Sequence, residues 1–117
     1  MIARNDTKQT LIADALDMAT GFFSRMRGLL GTRPLESGQG LYIAPCKRVH
    51  SFGIGYLLDL VFLDSDHLVV DTITAFTPGR VSPRIRPACG VLELPVGTIA
   101  RSRTEPGDLI VLEKRRS

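Results

Sequence analysis

Apolar positions along this chain fall in short runs closed by glycine, proline or polar pairs, a pattern that predicts strands and turns rather than long helices. Residues 8–13 read as a first strand, and residues 40–43 as a second, stopped by Pro45. Residues 49–52 read as a short extended piece. The strongest strand signal is 57–63, Leu-Leu-Asp-Leu-Val-Phe-Leu. Asp64-Ser65-Asp66-His67 is a polar turn and 68–76 returns from it, so the two runs predict a hairpin. Residues 91–94 make a short strand ended by Pro95. Pro106-Gly107-Asp108 then turns the chain into a last strand over 109–112. One stretch has a different period. Phe22, Phe23, Met26, Leu29 and Leu30 recur three and four apart, with Thr20 placed to cap and Gly31 and Pro34 placed to stop, which predicts a helix over 21–30.

Composition sharpens this picture. At 117 residues the chain has room for one domain, 1–117, with the charged stretch 113–117 expected to fray. Eleven glycines and seven prolines scattered between apolar runs fit a mainly β domain. A net charge of +3 is too small to point to nucleic acid. The opening Met1-Ile2-Ala3-Arg4-Asn5-Asp6-Thr7 lacks the apolar core of a signal peptide, and the longest apolar region, 54–63, is interrupted by Gly55 and Asp59. The expectation is a soluble, cytoplasmic protein with no membrane partner. Cys46 and Cys89 are then expected to be reduced thiols.

Asp59 stands out among the polar groups. Both faces of its strand are apolar, so it is expected to be buried and to need a partner. It is either a pocket carboxylate or an acid that pins a loop through backbone amides. Arg25 and Arg27 border the apolar stripe of the expected helix, so either could reach Asp59 or Glu93, or cover apolar surface with its stem. Alternation sets Glu93 opposite Leu92 and Leu94, predicting an exposed sheet face. Cys46 and His50 are weak metal candidates, with Cys89 as a third ligand. On a strand, positions four apart lie roughly 13 Å from each other, too far to share an ion. No metal or other cofactor is predicted. Arg80, Arg84 and Arg86 fall in an irregular basic loop, 80–87, that is either an anion site or solvated surface.

The ordered set Arg27-Gly28-Leu29-Leu30-Gly31, Gly40-Leu41-Tyr42-Ile43, His50-Ser51-Phe52, 58–64, 91–95 with Gly97, and Gly107-Asp108 resembles the family called domain of unknown function 192. That resemblance implies a compact distorted β-barrel or sandwich with one or two short helices, α+β by a strict count. It implies no established activity, substrate or cofactor. The positions matching the family pattern best include Arg27, His50, Asp59 and Glu93, the ligand-binding candidates. The leading expectation is a small binding or interaction module that recognises a small polar ligand or a protein segment in a groove near Asp59. One alternative is a hydrolase-like or metal-assisted enzyme using Asp59, His50 and Cys46. Another is a structural β domain with no pocket chemistry. The pattern does not specify an oligomeric state.

Overall fold

A computed structural model describes residues 1–19, 35–45 and 56–115 of the chain. Eight strands and one short helix are found there: β1 Ile2–Asn5, β2 Thr10–Ala13, β3 Ala15–Ala19, β4 Gln39–Ile43, β5 Leu58–Leu63, β6 Val69–Phe76, β7 Gly90–Pro95, α1 Thr98–Ser102 and β8 Ile110–Glu113. They form a three-stranded sheet in the order β2-β1-β8 and a five-stranded sheet in the order β3-β4-β7-β5-β6. The pair β3/β4 is parallel and every other pair is antiparallel. The two sheets make a sandwich-like, mainly β architecture without barrel closure among the described residues.

The doubly apolar run of β5 explains the layering. Its six residues are all buried because the strand lies inside the five-stranded sheet with a cluster on each face. Val61 and Leu63 join Leu92, Leu94, Ile12, Ile99 and Ile110 in the core between the sheets. Leu58, Leu60 and Phe62, pointing the other way, pack with Phe76, Ala88 and Val91, and with the half-buried Leu35, Tyr56 and Ile73. The 57–63 and 68–76 runs form the predicted hairpin, and Asp64 holds its turn by accepting the Asp66 and Leu68 amides at 2.8 and 3.0 Å. Leu57 itself lies outside the strand and is exposed.

Other elements correct the sequence reading. The strand expected over 8–13 begins only at Thr10, because residues 6–9 form a turn in which Gln9 takes a left-handed φ of 56°. The last strand is shifted by one residue, so Glu113 closes β8 opposite Ile2 instead of opening a tail. Two strands, β1 and β3, and the helix α1 were not anticipated. The helix over 21–30 and the extended piece over 49–52 lie outside the described residues. Residues 80–87 are irregular, with Val81 alone in a bridge.

β1 hides its signal by turning a polar residue inward. Asn5 is fully buried, and its side chain replaces the apolar contact expected there. Its Nδ2 donates to Thr104 Oγ1 at 3.1 Å and to Asp108 Oδ2 at 2.9 Å, while its Oδ1 accepts the Lys8 amide at 2.9 Å. Lys8 Nζ adds a 2.9 Å ion pair to Asp108. Burial alone would raise the Asp108 pKa. The hydrogen bonds from Asn5, Lys8 and the Glu105 amide outweigh it and hold the carboxyl below its ordinary value. Asn5→Ala removes a donor and an acceptor from this buried cluster and leaves its partners unmet. The expected loss is about 1–3 kcal/mol, read as a lower urea midpoint at unchanged slope. An unchanged midpoint would show that water takes over the role of Asn5.

Candidate functional site

Asp59 sits where β6 carries one residue too many. Leu58 pairs with Phe76 and Leu60 with Ile73, so Thr74 and Ala75 together face Asp59 alone. Ala75 takes a left-handed φ of 53°, and its amide donates to Asp59 Oδ1 at 3.0 Å. The other carboxylate oxygen serves a second segment. After β7 the chain turns through Val96 and Gly97 into α1. Gly97 occupies the N-cap position with φ 96°, a conformation that favours glycine, and so brings no capping side chain. Asp59 Oδ2 supplies the cap from β5, accepting the Gly97 amide at 3.0 Å and the Ile99 amide at 2.9 Å. Asp59 is 1% exposed and shares its face with Val61 and Leu63, toward the core between the sheets. Of the two partners expected for it, cation or backbone amides, the geometry has the amides. Arg25 and Arg27 lie outside the described residues.

Above this anchor lies a groove of about 490 Å³. One wall is Pro95, Val96, Gly97 and Thr98 with Arg101; the others are Tyr56 with Leu57, and Leu35 with Ser37. Leu57 and Val96 leave 39% and 52% of their surface in solvent. The Pro95–Thr98 wall is fixed twice, by Asp59 below and by the Thr98 hydroxyl, which donates to the Pro95 carbonyl at 2.7 Å. The guanidinium of Arg101 donates to the Leu11 and Ile12 carbonyls, both at 2.9 Å, tying α1 to β2. None of Tyr56, Leu57, Val96 or Arg101 was singled out from the sequence. The available signal was an apolar residue on each side of the Asp59 anchor, Leu57 before β5 and Val96 in a turn.

Glu93 corrects the expectation of an exposed sheet face. Alternation placed it on the right side of β7, opposite Leu92 and Leu94, but that side is covered too. It lies in register with Leu60 and Leu41 and is 2% exposed. Its Oε2 has no hydrogen-bond partner among the described residues. Burial pushes its pKa up to about 7. Burial likewise raises the Tyr56 pKa, with a further contribution from the Glu93 charge. Asp59 and Glu93 therefore point to opposite faces of one sheet and do not converge. Cys89 is exposed at the far end of β5, where its amide meets the Leu63 carbonyl at 2.7 Å. Cys46 and His50 lie outside the described residues. Arg84 and Arg86 are exposed in the irregular 80–87 stretch, as is Arg80.

Two outcomes follow for these carboxyls. Asp59→Asn puts an amide NH₂ where a backbone N–H now donates, and should cost about 1–3 kcal/mol. Amide hydrogen exchange should accelerate at Ala75, Gly97 and Ile99 before the rest of the sheet. Uniform exchange rates would contradict the anchoring role. For Glu93 the sign is opposite to that of an ion-paired acid. The folded chain keeps this proton up to about pH 7, whereas the ordinary value is 4.5. Between those values the folded state binds more protons, so stability falls as pH rises. Glu93→Gln should remove that slope and gain about 3 kcal/mol on wild type between pH 4 and pH 8. Parallel stability curves for the two proteins would refute this.

Comparison with known proteins places this geometry in a family. The family DUF192, described as uncharacterized ACR, matches residues 2–112. A UPF0127 protein of Thermococcus sibiricus is 33% identical over 111 residues, covering 91% of this chain and 71% of that one. A UPF0127 protein of Pyrococcus abyssi is 30% identical over 112 residues, covering 91% and 92%. Among solved structures, a protein of unknown function from Novosphingobium aromaticivorans shares the fold at a TM-score of 0.81 and 20% identity, over 95% of this chain and 83% of that one. A Sinorhizobium meliloti protein, provisionally described as a transcription regulator, does so at 0.75 and 22%, over 94% and 89%. At these identities the two structures speak for the fold alone. With a match running from β1 into β8, the chain belongs to the DUF192 family, whose members here carry the name UPF0127.

Proposed function

We propose that this protein is a small binding module, and that the groove beside Asp59 receives a small polar ligand or a protein segment with an apolar part. The observation that carries this reading is the groove itself. Its volume of about 490 Å³ falls in the range of ligand sites. Its apolar rim, Leu57 and Val96, is left in solvent by a fold that buries the flanking Leu58 and Leu94. The wall carrying Val96 is held by three hydrogen bonds from fixed partners, so little ordering is left for a ligand to impose.

In this reading Asp59 shapes the groove and does not touch the ligand. Both of its oxygens are engaged by amides, which makes it a poor base or metal ligand and counts against the hydrolase alternative. No helix among the described residues is long and apolar enough to cross a membrane. A net charge of +3 favours a ligand other than nucleic acid.

Nuclear magnetic resonance titration with small neutral aromatic and aliphatic fragments tests the reading. Shifts should concentrate on the amides of Leu57, Val96, Gly97, Thr98 and Arg101. Val96→Asp should weaken binding at least ~10-fold, about 1.4 kcal/mol, without lowering the melting temperature. Shifts scattered over the surface, or binding indifferent to Val96→Asp, would refute it.

A further inference from the structure

Arg101 is a cation without an acid. Its guanidinium is held by the Leu11 and Ile12 carbonyls, at 2.9 Å each. Those partners are neutral and take two of the five N–H donors that an arginine carries. Arg4 and Lys8, by contrast, each meet two carboxylates. All twelve acidic side chains of the chain lie within the described residues, and none forms an ion pair with Arg101. Arg101 is also the one charged side chain among the described residues that line the groove. The Asp59 carboxylate beneath the wall is buried, and three amides meet its oxygens. A fixed cation next to exposed apolar surface suits a ligand that is anionic at one end and apolar along the rest.

We infer that the groove selects a small organic monocarboxylate with an apolar body, and that the guanidinium of Arg101 receives the carboxylate. The inference rests on the groove being a binding site and names the charge it prefers. The N–H groups left on Arg101 suffice for the two parallel bonds that a carboxylate accepts from a guanidinium. The ties to Leu11 and Ile12 hold the planar head before a ligand arrives, so binding orders little. The apolar body covers Leu57 and Val96, which the fold leaves in solvent. One cation matches one negative charge; a phosphate ester, with nearly two, finds no second partner in this lining. A neutral ligand of the same shape gains the apolar contact alone, and an ammonium is repelled. A volume of about 490 Å³ is that of a small-molecule site, so the source is a free acid.

Hexanoate, hexanol, hexylamine and N-acetyl-alanyl-leucine with a free C-terminus are titrated into wild type and Arg101→Gln at pH 7, following the amides of Leu57, Val96 and Gly97. Hexanoate and hexylamine are both ionised there. Hexanoate should bind wild type at least ~5-fold more tightly than hexanol, the scale of an ion pair left partly in water. Arg101→Gln should bind the two alike. Because Arg101 also ties α1 to β2, wild type alone gives a second reading: the preference for hexanoate should shrink in high salt, and that for hexanol over hexylamine with it. Equal binding of hexanoate and hexanol to wild type, a preference for hexylamine, or a hexanoate preference that survives in folded Arg101→Gln overturns the role of Arg101 and leaves the groove standing. Tighter binding of the peptide than of hexanoate overturns the free acid as the source. If no probe moves the groove amides, the groove reading itself falls.

Discussion

Three backbone amides converge on the carboxylate of Asp59, and they come from two segments well separated in the chain. Ala75 belongs to the bulge that bends β6, and Gly97 and Ile99 open α1. Each segment contains a left-handed residue, Ala75 or Gly97, that turns an amide away from the regular ladder. An amide turned inward without an acceptor would cost as much as the bulge or the cap could return. One buried acid on a central strand resolves both problems at once. The Pro95–Thr98 wall stays in place because the Gly97 amide within it and the Ile99 amide just after it are tied to the same oxygen.

The two buried acids of the sheet differ in their surroundings. Asp59 reaches three donors within 3.0 Å, and both of its oxygens are used. Glu93, on the neighbouring strand and the other face of the sheet, keeps one oxygen unmet among the described residues. A fold that needed only packing at position 93 would be better served by leucine, the residue that flanks it on both sides.

Much of the fold was legible from local patterning, and the failures share a physical cause. Periodicity reports which side of a strand a residue takes; it does not report what covers that side. The run of β5 could be read because both faces are apolar, which only a central strand tolerates. Glu93 was misread as exposed because one polar residue in an alternating strand has the same pattern whether its face is wet or, as here, shared with Leu58, Leu60 and Phe62 of β5 and buried with them. β1 was missed because its inward positions are Ala3 and Asn5, one small and one polar. The five residues of α1 are too few for a helical period, and their cap comes from 38 residues earlier in the chain. The groove was the least legible part, since its walls come from three separate stretches of sequence.

The pairing of β1 with β8 fixes when the protein can become itself. Ile2 lies opposite Glu113 and Asn5 opposite Ile110, and the buried side chain of Asn5 is completed by Asp108. The middle strand of the smaller sheet therefore waits, during synthesis, for Asp108, 103 residues further along, and for β8 after it. Until then one face of the larger sheet, with Val61, Leu63, Leu92 and Leu94, has no second layer to cover it. Loop closure across such a separation makes these contacts slow to form. The nascent chain consequently carries its apolar inter-sheet surface open to water until β8 has emerged, and its need for protection from aggregation lasts until then.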